Sequence, residues 1–264
     1  MNASPVSVSP TELVRELESR LRSDRPSALA FDADGTLWSG DVGDDVFRFA
    51  VEHGRLREAA RAGIEQQARS RGFACFTDLN ATAKQLFDAY LAGRYPEREI
   101  CELMTWCFAG HTLPEMADLV AEALLVARHA QRLNEELRPI LDFARNNALR
   151  TIVISASPRV TVEVAASAWG FAEHDIAAST PRVVAGVIAP EMASALPYGA
   201  GKCVAGRALL GTSHWLAAFG DNVFDLEMLA EAELGIAVRP KPALRARLAE
   251  IPGVRVLDAN FQSS

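Results

Sequence analysis

Leu13, Leu17 and Leu21 recur every fourth residue through an otherwise polar stretch, and this spacing predicts an amphipathic helix over Thr11–Leu21. Residues 1–9 are small and polar and read as a frayed end. Behind the helix, Ser27-Ala28-Leu29-Ala30-Phe31 is an apolar run that stops abruptly at Asp32-Ala33-Asp34-Gly35. That is the pattern of a buried strand running into a loop.

From about residue 41 to 130 the pattern changes. Apolar positions fall at helical spacing (Val46, Phe49, Ala50; Leu79, Ala83, Leu86, Phe87, Tyr90; Ile100, Leu103, Met104, Cys107), punctuated by Gly54, Gly72, Gly93, Pro96, Gly110 and Pro114. The segment predicts four or five helices and no strand. Beyond it, helix and strand patterns alternate. Helices are expected at Leu137–Asn147, Val160–Trp169, Gly201–Leu210, Leu226–Ala232 and Pro242–Leu248. Strands are expected at Arg150–Ile154, Asp175–Ala178, Trp215–Phe219, Leu234–Val238 and Val254–Leu257, with a hairpin over Arg182–Ile188 broken at Gly186. Alternation of this kind predicts an α/β fold, a doubly wound parallel sheet core carrying an inserted helical unit. The expected division is a core of residues 1–38 and 131–264 and an insert of 39–130.

Composition narrows the class. The 264 residues are 49% apolar and 23% charged, ordinary for a globular chain. With 27 basic and 34 acidic side chains the net charge is −7, which argues against a general nucleic-acid binder. No apolar run reaches the roughly 20 residues that span a bilayer, and no basic segment precedes an apolar stretch at the N-terminus, so a cytoplasmic protein is expected. Cys75, Cys101, Cys107 and Cys203 form no C-x-x-C pair and read as reduced packing thiols. The five histidines lack metal-ligand spacing. Trp38, Trp106, Trp169 and Trp215 read as packing residues.

The chemistry gathers where strands end. Asp32 and Asp34 follow the first strand, Ser155 the second, and Asp221 and Asp225 a later one, while Lys202 opens the helix before that last strand. In a parallel sheet those ends share one edge, so residues distant in sequence converge. Several carboxylates suit a hard divalent cation such as Mg²⁺, and a hydroxyl with an ammonium suits the oxygens of a phosphate. Asp-x-Asp-Gly-Thr arises by chance only about 0.002 times in a chain of this composition. A calcium-binding EF-hand loop does not fit, because position 12 of such a loop would be Gly43.

Asp32-Ala33-Asp34-Gly35-Thr36-Leu37, Ile154-Ser155-Ala156-Ser157, Tyr198-Gly199-Ala200-Gly201-Lys202 and Gly220-Asp221-Asn222-Val223-Phe224-Asp225 resemble, in order, the four motifs of the haloacid dehalogenase superfamily. The helical insert is similar to the cap of its phosphoserine phosphatase branch. The resemblance covers residues 28–264. It implies a Rossmann-like core and a Mg²⁺-dependent phosphatase for a small phosphomonoester, phosphoserine- or phosphocholine-like. Asp32 would be the nucleophile that forms an aspartyl-phosphate, and Asp34 the general acid and base. Asp32, Asp221, Asp225 and the Asp34 main-chain carbonyl would hold Mg²⁺, and Ser155 and Lys202 would bind phosphate. Asp41, nine residues after Asp32, stands where those phosphatases place a glutamate that pairs with the substrate ammonium. Trp38 on the same loop could offer a quaternary ammonium an aromatic face. As a plain structural residue, Asp41 would instead cap the helix whose first turn holds Asp44 and Asp45.

The chain departs from that branch where Ala156 and Ser157 replace two glycines and where Asn222 and Phe224 replace a glycine and an asparagine. A dehalogenase is disfavoured because Asp34, which protonates an alkoxide, has no use there. A phosphotransferase or phosphomutase, or a non-catalytic phospho-metabolite-binding protein, remains compatible with the residues. The expected partner is a small molecule, with neither nucleic acid nor membrane, and self-association to a homodimer is left open.

Overall fold

The computed structural model describes residues 5–22 and 24–257, and its centre is a seven-stranded sheet in which every pairing is parallel. In chain order the elements begin β1 (Val6–Val8), α1 (Pro10–Arg20) and β2 (Ser27–Phe31). Five helices follow: α2 (Val42–Glu52), α3 (Arg61–Ser70), α4 (Leu79–Leu91), α5 (Glu97–Trp106) and α6 (Leu113–Val126). The sheet resumes with α7 (Arg138–Asn146), β3 (Arg150–Pro158), α8 (Arg159–Ala166) and β4 (Ile176–Ser179), then a two-stranded hairpin of β5 (Pro181–Val184) and β6 (Val187–Met192). The rest is α9 (Ala200–Leu210), β7 (His214–Gly220), α10 (Leu226–Glu231), β8 (Leu234–Val238), α11 (Pro242–Arg245) and β9 (Arg255–Leu257). Strand order across the sheet is β1-β9-β8-β7-β2-β3-β4.

Successive strand residues face opposite sides, and the chain uses this to build two unequal layers. On one face of β2, Leu29 and Phe31 join Leu13 and Leu17 of α1, Ile140 of α7 and Val162 of α8. On the other, the small Ala28 and Ala30 admit Leu210 of α9, Leu226 and Leu229 of α10 and Leu244 of α11. Gly206 sits in the middle of α9 because a Cβ there would lie 2.7 Å from Trp215 and 2.8 Å from Ile154. The first hydrophobic cluster also runs without a break into the helices between β2 and β3, through Val46, Phe47, Leu86, Ile100 and Val120.

The expected elements form, with local corrections. Residues 6–8, expected to fray, instead add the edge strand β1 in register with β9, Val8 opposite Leu257. Three residues are too few to display an alternation, and their partner lies at the far end of the chain. Strand β3 continues past Ser155 to Pro158, its register with β4 shifting after Ser155. Helix α8 ends at Ala166 and passes into a 3₁₀ turn over Ser167–Trp169. Helix α11 stops at Arg245, four residues long. The hairpin also has a docking partner that no local pattern reveals: Gly110 N–H donates to the Ile188 carbonyl, and Ile188 N–H to that of His111.

Candidate active site

Three strand ends and one helix start meet at the C-terminal edge of the sheet. Asp32 and Asp34 leave β2, Ser155 and Ser157 lie in the last turn of β3, Asp221 leaves β7, and Lys202 stands in the first turn of α9. They line a cavity of about 510 Å³, closed on its far side by Asp41 and Asp44 at the start of α2, Tyr90 of α4, and Glu97, Cys101 and Met104 of α5.

Lys202 is the organiser. Its buried Nζ lies 2.5 Å from Asp32 Oδ1 and 2.5 Å from Asp225 Oδ1. Burial alone would lower its pKa, but Asp225 and Asp32 overcome that and raise it, so the ammonium stays charged. Asp225 is wholly buried, and its Oδ2 accepts from the Asp221 and Asn222 amides at 3.1 and 2.9 Å. Its work is to fix Lys202 and the loop after β7. Asn222 caps the turn that follows, its Oδ1 accepting from Val223 N–H. Ser155 Oγ accepts from Ser157 N–H at 3.0 Å, which leaves its own hydrogen for an acceptor in the cavity.

The donor set fits a divalent cation. Carboxylate oxygens of Asp32, Asp221 and Asp225 lie within 4.8 Å of one another. Asp221 Oδ2 is paired with Lys241 Nζ at 2.9 Å, while its buried Oδ1 has no hydrogen-bond partner among the described residues. An all-oxygen set with one uncommitted carboxylate oxygen is suited to a hard ion. Burial, reinforced by Asp225 and opposed by Lys202, pushes the Asp32 carboxyl well above its usual range, and burial raises Asp221 too. A cation at this place would reverse both shifts. Gly35, at φ 85°, takes a conformation that other residues avoid, and a Cβ there would come within 2.1 Å of Asp221 Oδ2.

Asp34 stands apart from the trio. Its Oδ1 accepts from Trp38 Nε1 and Val42 N–H, both at 2.8 Å, and its Oδ2 from Ser157 Oγ at 2.6 Å. Trp38 is fully buried, edge-on to His129, and presents no face to the cavity, contrary to the expectation of an aromatic platform. Asp41 does cap α2, accepting from Asp44 N–H at 2.9 Å, and it also lines the cavity. Burial, then Asp34 and Asp44, push its carboxyl well up, and burial with Asp34 lifts Asp44 to about 6.

Sequence reasoning missed Tyr90, Glu97, Cys101, Met104, Tyr198, Phe224 and Lys241 as cavity residues. Tyr90 and Met104 were hidden by helical spacing that reads equally well as packing. Tyr198 and Phe224 pack with rings tilted by 34° and centroids 4.3 Å apart, a pairing between segments distant in the chain. Lys241 was findable, because it follows the C-terminal end of β8.

The family model for haloacid dehalogenase-like hydrolases matches residues 29–230, and the chain belongs to that family. Among solved structures, it is similar to a protein of unknown function from Bordetella pertussis Tohama I, with 20% identity and TM-score 0.68 over 89% of this chain and 99% of that one. A conserved functionally unknown protein from Anaerococcus prevotii DSM 20548 gives 12% identity and TM-score 0.71 over 99% and 98%. A substrate-bound phosphoserine phosphatase gives 15% and 0.50 over 91% and 96%. At these identities the likeness is one of fold. A sequence search of curated proteins finds no significant match.

Proposed function

We propose that this hydrolase is a Mg²⁺-dependent phosphatase that acts on a small phosphomonoester through an aspartyl-phosphate. The observation that carries the reading is the pairing of two aspartates on one loop, Asp32 bound to a buried lysine and Asp34 held by three donors, in a single cavity. In this reading residues 39–130 are a cap over a core of 1–38 and 131–264. The fold likeness to a phosphoserine phosphatase agrees with it.

Asp32 attacks phosphorus as the bond to the leaving oxygen breaks. Lys202 and the free Ser155 hydrogen meet the phosphoryl oxygens, where charge develops. Asp34 gives its proton to the leaving alkoxide and later takes one from the water that hydrolyses the aspartyl-phosphate. Asp32, Asp221 and the Asp34 main-chain carbonyl would hold Mg²⁺, with Asp225 behind them. When bound, the ion offsets the negative charge of phosphate and nucleophile. The cap helices keep bulk water from the transfer.

At the leaving-group end, the raised carboxyls of Asp41, Asp44 and Glu97 beside Tyr90, Tyr198 and Phe224 favour a leaving group that carries a cation. Phosphate release from a panel of phosphomonoesters, with Mg²⁺ and with excess chelator, tests the whole reading. Release that requires Mg²⁺ is expected. Full activity in chelator, or no release from any phosphomonoester, contradicts it.

A further inference from the structure

Ser157 stands beside the cavity near the end of β3, and the mechanism above gives its side chain no task. Its hydroxyl donates to Asp34 Oδ2 at 2.6 Å and to no other described residue. We infer that Ser157 is a positioning residue that holds Asp34 Oδ2, the oxygen that the two donors on Oδ1 leave to carry the proton, toward the leaving group. The inference rests on the phosphatase reading and on Asp34 as its general acid.

The two carboxylate oxygens of Asp34 are not equivalent. Oδ1 faces the Trp38 indole N–H and the Val42 main-chain N–H, both at 2.8 Å. Both groups are donors only, so a proton on Oδ1 would point into two other protons. Oδ2 faces a hydroxyl, which alone among these partners can donate or accept by rotation. Ser157 lines the cavity, whereas the fully buried Trp38 does not, so Oδ2 is the oxygen on the substrate side. Main-chain geometry supports the placement. Ser157 N–H is anchored on Ser155 Oγ, and Gly43 of α2 leaves room for the hydroxyl, since a Cβ there would lie 3.1 Å from Ser157 Oγ.

The proton path follows. Before transfer, Oδ2–H is shared with Ser157 Oγ or with the ester oxygen of the substrate. As the Asp32–phosphorus bond forms and the phosphorus–oxygen bond breaks, the leaving oxygen takes that proton and departs as the alcohol. Asp34 is then a carboxylate, and Ser157 rotates to donate to Oδ2. The hydrolytic water returns a proton to Oδ2 as its oxygen bonds to phosphorus, and Asp32 is released with inorganic phosphate. Trp38 and Val42 remain donors to Oδ1 throughout and hold the carboxyl plane still.

The test uses two probes that differ in their need for a proton. Phenyl phosphate has a poor leaving group, whereas 2,4-dinitrophenyl phosphate loses a stable anion. The quantity read is the ratio of their kcat/KM values, which covers steps only through the first irreversible one and excludes hydrolysis of the aspartyl-phosphate. Because both substrates are measured on one preparation, the folded fraction cancels. Asp34→Asn should lower the phenyl-to-dinitrophenyl ratio steeply, and Ser157→Ala should lower it by about tenfold or more, within the range of general-acid effects. Added to Asp34→Asn, Ser157→Ala should change the ratio by less than about twofold, because it acts through Asp34. A ratio that Ser157→Ala leaves unchanged while Asp34→Asn lowers it overturns the role of Ser157 alone. A ratio that neither variant moves removes Asp34 as the general acid, and a wild type inactive on both probes removes the phosphatase reading, each taking this proposal with it.

Discussion

Asp41 carries one carboxylate into two settings, the N-cap of α2 and the wall of the cavity. The two roles can be separated because asparagine caps a helix about as well as aspartate but brings no charge. Asp41→Asn should therefore leave the melting temperature nearly unchanged. If the carboxylate reads a cationic substrate, kcat/KM for phosphocholine or O-phosphoserine should fall at least about tenfold, with phenyl phosphate little affected. Equal losses on both kinds of substrate would mean that the charge serves the loop and not the ligand. Lys202 illustrates the complementary case. A buried ammonium is costly unless paired, and here two buried carboxylates hold it at 2.5 Å, so Asp225 still pairs the charge when Asp32 is altered.

At the scale of elements, α9 must satisfy both helix propensity and the sheet beneath it, and Gly206 shows which prevails. Alanine is the better helix former by about 1 kcal/mol. A Cβ at 206, however, would press on Trp215 and Ile154 at under 3 Å. Overpacking of this kind costs typically about 1–3 kcal/mol, so Gly206→Ala should lower the melting temperature despite its propensity. Adding Trp215→Phe, which removes the ring atoms nearest the new methyl, should recover part of the loss. Stabilisation by Gly206→Ala alone would refute this packing account. The same contrast separates what was legible in the sequence from what was not. The strand ends bearing Asp32, Ser155 and Asp221 were readable, because an apolar run stopping at a polar residue is a local signal. The edge strand β1, the docking of Ile188 on Gly110 and His111, and the Ser157 donor on Asp34 were not. Each depends on residues from distant segments meeting only after the sheet has formed.

In the whole molecule, one hydrophobic cluster joins the sheet face of Leu29 and Phe31 to the five helices α2–α6, so the two walls of the cavity are one packed body. The hairpin reinforces this from the far side, its β6 strand bonded to the turn between α5 and α6. Among the described residues no helix is long and apolar enough to cross a membrane. In the proposed mechanism the chemistry of this body rests on a single atom pair, an Asp32 oxygen and the phosphorus of the substrate. The direct measurement is phosphate release by Asp32→Asn beside the wild type, with circular dichroism and thermal melts to verify the fold. A carboxamide is a poor nucleophile and a poor cation ligand, so the account predicts folded protein with no measurable release. Folded Asp32→Asn protein that turns over within about tenfold of the wild type would contradict it.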